Sequence, residues 1–259
     1  MMRTLVRKVK SAKRTLHEGG VSGVAKRVER NLRSLAARAT GVDIDGSRFT
    51  SEGFPEEVWQ KLVAREYEDS EIQTIKRYLD RRSPIVEIGD GLGVIACVAN
   101  RLLERPRKHI VVEASPQSAS IIRANADRNQ CDLQIVNAAV AYGCDDVTFW
   151  VNADRPYSNA LMPVHEGCRE IKVPATTLGI LFEQHAITNC SLVCDIEGGE
   201  YEMVKSELPV ISEHVSSIFM ETHPRLIGEA KTEEMLASLK SAGFETRDVV
   251  NDVYVLMRG

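Results

Sequence analysis

The residues of this chain whose types and spacing could do chemistry begin with a turn of glycines. Gly89-Asp90-Gly91-Leu92-Gly93 follows a short β-type run, Pro84 to Gly89, and precedes a helical stretch, Val94 to Glu104. A strand that ends in closely spaced glycines before a helix is where open α/β folds bind ligands. Glycine supplies positive φ and lets backbone approach a ligand with no Cβ in the way. The spacing discriminates between ligands. A dinucleotide fingerprint requires Gly or Ala at position 94, where this chain has Val94, so the turn argues for a smaller nucleoside. Glu113 ends the next strand, 20 residues past Gly93, where an acid can accept hydrogen bonds from two ribose hydroxyls. A solvated strand-end glutamate is the bland alternative, and the pairing with the glycine turn speaks against it.

The elements that must position these residues alternate. His109–Glu113 is strand-like, with Ile110, Val111 and Val112 consecutive, which implies burial on both faces. Pro116–Asn129 is helical and Leu133–Val140 a third strand. This β-α-β-α-β order implies a parallel sheet with right-handed crossovers. Val147–Val173 breaks the rhythm and reads as an inserted strand and loop, where Arg155–His165 is expected to face a substrate through Tyr157, Ser158 and Asn159. Alternation resumes with helix Thr177–His185, strand Leu192–Ile196, helix Glu200–Glu207, strand Ser217–Thr222 and helix Thr232–Ala242. A closing hairpin follows, Phe244–Val249 and Val253–Met257 around Asn251-Asp252.

Upstream, residues 1–47 form a basic, amphipathic helical arm and 48–83 a helical lead-in to a domain over 84–259. Residues 42–54 are turn-rich and read as a linker. Val21, Val24, Ala25, Val28, Leu32, Leu35, Ala36 and Ala39 recur at helical spacing, with Lys26, Arg27, Arg30 and Arg33 between them and Gly41 as a C-terminal cap. Residues 1–40 hold eleven Lys/Arg against two acids, whereas the remainder holds 22 against 35. A basic arm on an acidic body is a statement about partners. The arm could pack on its own protein or a second subunit, lie on an anionic membrane surface, or be a transit peptide. Nucleic acid is not expected, because no aromatic residue interrupts the arm to stack on bases.

The remaining composition excludes other classes. No apolar run approaches the ~20 residues that span a bilayer, and no secretory signal opens the chain. Six cysteines (97, 131, 144, 168, 190 and 194) show no zinc pattern and read as reduced thiols, which suggests a cytoplasmic protein, peripheral to the membrane if the arm binds it. Histidines 17, 109, 165, 185 and 214 lack partner spacing and read as surface or capping residues.

On these motifs the sequence resembles a known family. Val86-Glu87-Ile88-Gly89-Asp90-Gly91-Leu92-Gly93, Val112-Glu113-Ala114-Ser115-Pro116 with Asn125 and Asn129, Val136-Asn137-Ala138-Ala139-Val140, Val173-Pro174-Ala175-Thr176-Thr177-Leu178, Asp195-Ile196-Glu197-Gly198-Gly199-Glu200 and Glu221-Thr222-His223 recur in the order seen in FkbM-type class I methyltransferases. The resemblance covers roughly 65–257 and implies an α/β Rossmann-like fold: a mostly parallel seven-stranded sheet with an antiparallel last strand. It also implies S-adenosylmethionine as methyl donor and usually a hydroxyl acceptor, here a small molecule or glycan. Glu87 and the turn Gly89, Asp90, Gly91 and Gly93 would approach the methionine portion. Glu113, followed by Ala114, would hold the ribose, and Asn137-Ala138 would flank the adenine. The chain departs from the family in having Glu87 where Asp is common, Asp90-Gly91 where Ala-Asn is common, and Cys194 where Lys is favoured.

Methyl transfer to an alcohol is an in-line displacement that also requires loss of the hydroxyl proton. Candidate bases stand at two strand ends, Asp195 with Glu197 and Glu221 with His223. In each, i, i+2 spacing puts both side chains on one face while the strand stays extended. Asp195 or His223 is the expected base, with Glu197 and Glu221 orienting the acceptor. Glu197 could instead cap the following helix. Asp195 with Glu197 or Glu221 could take Mg²⁺, but nothing requires a metal and none is assigned. The alternatives are an N-methyl or lipid-linked acceptor, or a methyltransferase-like binding protein without turnover.

Overall fold

The computed structural model describes residues 28–89, 91–104, 108–151 and 168–259. The chain divides into two compact units, one of residues 1–43 and 49–67, the other of 44–48 and 68–259.

The first unit contains helix α1, residues 28–40, which ends on Gly41 at φ 74° with its N–H on Ala37 O. Left-handed backbone at that position is a glycine cap. Helix α2, Glu56–Ala64, starts after Pro55 and buries Val58, Trp59 and Leu62. The Trp59 indole N–H donates to Ser34 O at 3.1 Å, and Phe54 stands edge-on to both Phe49 and Trp59. Residues 42–54, read from sequence as a linker, instead contain a hairpin, β1 Val42–Ile44 and β2 Ser47–Phe49. Asp45-Gly46 makes its turn with positive φ at both positions, the Asp-Gly geometry that matches strand twist.

The second unit is built on a seven-stranded sheet. Its strands are β3 Ile85–Ile88, β4 His109–Val112, β5 Leu133–Val136, β9 Cys190–Cys194, β10 Val215–Glu221, β11 Phe244–Val250 and β12 Val253–Arg258, in the order β11-β12-β10-β9-β3-β4-β5. Strand β12 runs antiparallel to β10 and β11, while β3, β4, β5, β9 and β10 pair in parallel. The central strands are four or five residues long and buried throughout, as consecutive branched apolar residues require. From β3 the chain runs outward to β4 and β5, then returns to the other side at β9. That reversal opens a crevice at the carboxyl ends of β3 and β9.

Helices α3 Asp69–Tyr78, α4 Val94–Leu102, α5 Pro116–Asn129, α6 Leu178–Gln184, α7 Glu200–His214, α8 Pro224–Ile227 and α9 Glu229–Ser241 complete the unit. Arg77 and the Tyr78 hydroxyl both reach Asp248 of β11, and Asn251 reaches Ser70, which fixes α3 against the sheet. Helix α7 is longer than its sequence reading. It continues past a kink at Glu207 to His214, with Pro209 removing one N–H donor from the ladder. The Glu207 carboxylate accepts from Leu178 N and Gly179 N, so the kinked residue caps α6.

The stretch 133–140 is two strands rather than one. β5 stops at Val136, and β6 Ala139–Val140 joins β7 Asp146–Val151 and β8 Arg169–Thr176 in a separate three-stranded sheet over a small apolar core of Phe149, Val151 and Val173. Tyr157, Ser158, Asn159 and the rest of the expected substrate-facing loop lie outside the described residues, as does Asp90.

Candidate functional site

The glycine turn is shaped first by its own chain. Gly89, Gly91 and Gly93 all have positive φ, at 77°, 53° and 82°. A Cβ on Gly89 would stand 1.9 Å from the carbonyl oxygen of Asp195, so only glycine lets the ends of β3 and β9 lie side by side. A Cβ on Gly93 would stand 3.1 Å from the Ile122 Cα, where α4 and α5 meet. Asn125 of α5 donates to Leu92 O at 2.8 Å and ties the turn down.

At the end of β4, Glu113 is buried, with only 6% of its surface accessible, and one carboxylate oxygen accepts the Ser115 N–H at 2.6 Å. A solvated strand-end glutamate would show neither feature. Ser115 in turn caps α5 by accepting from Ser118 N. The Asn137 amide, beyond β5, donates to the carbonyls of both Glu113 and Ala114, clamping the two strand ends together. Ala114 and Ala138 are buried beside them. These residues share one edge of the sheet, next to the turn.

Glu87 is fully buried on β3 and faces His109 of β4, with His109 Nε2 2.8 Å from Glu87 Oε2. Burial pushes the imidazole down to about 3. The ring is therefore neutral and shares a hydrogen bond with the Glu87 carboxyl. His109 is thus neither a surface nor a capping residue. Buried strands on both sides leave a polar ring there only one partner, and the adjacent-strand acid provides it.

The acid–base pairs are rearranged. Strand β9 ends at Cys194 and β10 at Glu221, so neither pair sits on extended strand throughout; Glu197 has φ 51°. Instead, His223 joins the β9 end. Its Nδ1 is 2.9 Å from Glu200 Oε1, and its Nε2 is 3.4 Å from Asp195 Oδ1 and 3.7 Å from Glu197 Oε2. Glu200 is the residue the sequence reading passed over. It is fully buried, and the same oxygen accepts from Ile196 N and Gly198 N, so Glu200 ties down the loop that leads into α7. Its signal was its place as the last residue of the Asp-Ile-Glu-Gly-Gly-Glu block, at the start of α7.

The electrostatics follow from this grouping. Burial opposes protonation of His223, but Glu200, Asp195 and Glu197 outweigh it and hold the imidazolium up to about 9. Burial raises Asp195 to about 7, against the pull of His223. Asp195 keeps 39% of its side-chain surface accessible while Oδ1 is occluded, so the rest of the carboxyl is open. Glu221 takes a different neighbourhood. Burial, the Asp195 charge and a hydrogen bond with Glu71 of α3 raise it to about 9, which makes it a carboxylic acid at neutral pH. Cys194 is a buried thiol pushed well above its usual range by burial and by the Glu200 and Asp195 charges, so it is no nucleophile.

A small cavity of about 20 Å³ lies along these strand ends, lined by Glu68, Glu71, Glu87, Gly89, Asp195 and Glu221 among others. Five carboxyl groups and no Lys or Arg line it, so its charged groups are acidic. Asp195, Glu200 and His223 also present donor atoms within 4.8 Å of one another. Both nitrogens of His223 face carboxylates, Nδ1 towards Glu200 and Nε2 towards Asp195.

Comparison with known proteins agrees with this architecture. A methyltransferase from Pyrococcus furiosus is 14% identical, with 89% of this chain and 98% of that one aligned at a TM-score of 0.50, and shares the fold. An O-methyltransferase from Bacillus cereus, solved in complex with SAH, is 12% identical over 89% of each chain at a TM-score of 0.45. The ribosomal protein L11 methylase from Lactobacillus delbrueckii subsp. bulgaricus is 11% identical over 79% of this chain and 80% of that one, at 0.42. No curated protein matches the sequence significantly. The model of the methyltransferase FkbM domain matches residues 87–246, from Glu87 through the glycine turn, the Asp195 block and the His223 segment to β11. The chain belongs to the FkbM methyltransferase family and is an S-adenosylmethionine-dependent methyltransferase.

Proposed function

We propose that this protein methylates a hydroxyl group on a saccharide or another small natural-product acceptor, with Asp195 as general base. The observation that carries the reading is the Asp195 carboxyl. It abuts the glycine turn, is held near pH 7, and has one oxygen facing an imidazolium while the rest stays accessible. A base whose affinity for protons lies near the working pH combines a large deprotonated fraction with useful driving force.

The donor's fit rests on two features, strand ends beside the glycine turn whose charged groups are acidic, and a buried, clamped acid at the β4 end for its ribose. Glu87 and the turn Gly89, Gly91 and Gly93 would hold the methionine portion, Glu113 and Ala114 the ribose, and Asn137 and Ala138 the adenine. S-adenosylmethionine supplies, when bound, a methyl group on a positively charged sulfur. The protein's own part is to orient the acceptor and remove its proton. Asp195 takes that proton on its accessible oxygen. His223, already protonated, cannot act as base at neutral pH; it stabilises the Asp195 carboxylate and is itself anchored by Glu200. Glu197, on the same ring, and Glu221, a hydrogen-bond donor when protonated, would orient the acceptor. Neither role calls for Mg²⁺.

The test is formation of S-adenosylhomocysteine with a panel of polyols, saccharides and amines. Turnover with hydroxyl acceptors that rises as Asp195 deprotonates, near pH 7, is expected. Turnover confined to amines would overturn the hydroxyl assignment, and turnover unchanged in Asp195→Asn would remove Asp195 as base.

A further inference from the structure

Helix α1 is mounted with its apolar side outward. Ser34 is buried against α2, where Trp59 donates to its carbonyl. Asn31 meets Gln60, Arg38 meets Glu56 and Arg30 meets Glu66, so polar and charged groups make the attachment. The opposite stripe carries Val28, Leu32 and Leu35, which are 51%, 61% and 65% exposed. At 100° per residue these three and Ala39 fall on one narrow face. A helix stabilised only by its own protein would bury that stripe, because each leucine left in water forgoes the main driving force of folding. Helix α1 thus packs on its own protein through its polar side and leaves its apolar stripe uncovered.

We infer that this stripe seats the protein on an anionic membrane surface. Three observations select that occupant. The stripe belongs to a segment, 1–40, that holds eleven Lys/Arg and two acids, so charge favours a negative partner. A second copy paired stripe to stripe would bring two such basic segments together. The acidic second unit has no matching apolar patch among its described residues, since its large exposed apolar side chains, Ile180, Leu226 and Val249, sit on three different elements. No helix among the described residues is long and apolar enough to cross a bilayer, and a stripe this narrow lies in the interface rather than through it.

Co-sedimentation of the full chain with phosphatidylcholine vesicles, with and without phosphatidylglycerol, tests this. The wild type should bind only the anionic vesicles, and less at high salt. Leu32→Glu with Leu35→Glu should lower the bound fraction on the order of tenfold per leucine, at unchanged Tm and unchanged S-adenosylmethionine affinity. Val249→Glu, on another exposed apolar residue, should bind as the wild type does. Absence of binding to anionic vesicles, or equal binding by the double variant, overturns the inference. So does a dimer in light scattering that the double variant dissolves, which would make a second copy the occupant.

Discussion

The two edges of the crevice are built differently. On the β3–β4 side, the turn, Glu113 and Asn137 are held by backbone and by short-range hydrogen bonds, and each carboxylate has a neutral partner: His109 for Glu87 and the Ser115 N–H for Glu113. On the β9–β10 side, one imidazolium stands among three carboxylates, with a protonated glutamic acid beyond them. The first edge sets position, and its one imidazole, His109, stays neutral over the physiological range. The second sets charge, and its groups titrate within reach of neutral pH. Binding demands constancy and proton transfer demands a group near its midpoint, so the chain separates them onto different strands.

Substitutions should expose this difference, most severely where both edges meet. Gly89→Val places a branched side chain on the Asp195 carbonyl, so loss of all S-adenosylmethionine binding is expected by calorimetry, together with a lower Tm. Asp195→Asn should lower kcat by about 10²- to 10⁴-fold while cofactor Kd hardly moves; an equal loss in both would merge the two edges. Glu113→Ala should do the reverse, weakening cofactor binding by ~1–3 kcal/mol through unpaired ribose hydroxyls, with a much smaller change in kcat at saturation. Glu200→Gln removes the largest charge acting on His223. The imidazolium, now near 9, should titrate closer to 6.5, visible by NMR and as an alkaline limb of the rate profile that moves to lower pH.

The smallest effect is on stability. Glu221 is raised from 4.5 to about 9, so the native state holds a proton that the unfolded chain releases between those values. Wild-type stability should therefore fall as pH rises through that window. Glu221→Gln should flatten this contribution, with a Tm close to wild type in acid and higher at alkaline pH. An unchanged slope would show that Glu221 ionises freely.

Much of the first edge was legible because its determinants are local. Gly-x-Gly-x-Gly after Val86-Glu87-Ile88, and Glu113 at the end of Ile110-Val111-Val112, lie within single strand–turn–helix units. The hairpin at Asp45-Gly46 was legible too, since its Asp-Gly dipeptide between alternating residues is a turn signal, but the density of turn residues around it read as a linker. The second edge was only partly visible. Asp195, Glu197, Glu221 and His223 were identifiable as strand-end residues, yet strict i, i+2 pairing assumed that the strands extend through them. They end earlier, and loop backbone sends His223 to Glu200 and leaves Glu221 with Glu71, a helix residue 150 positions away in sequence.

The resemblance to the FkbM family implied the antiparallel last strand, while the sequence by itself determined the alternating elements, the parallel sheet and the glycine turn. These depend on periodicity and on backbone sterics, which act over a few residues. Only the tertiary structure decided which acids carry protons, that His109 and Glu200 are buried partners, and which face α1 presents. Protonation depends on desolvation and on charges a few ångströms away in space, and exposure depends on what packs opposite. Neither distance is written in sequence separation.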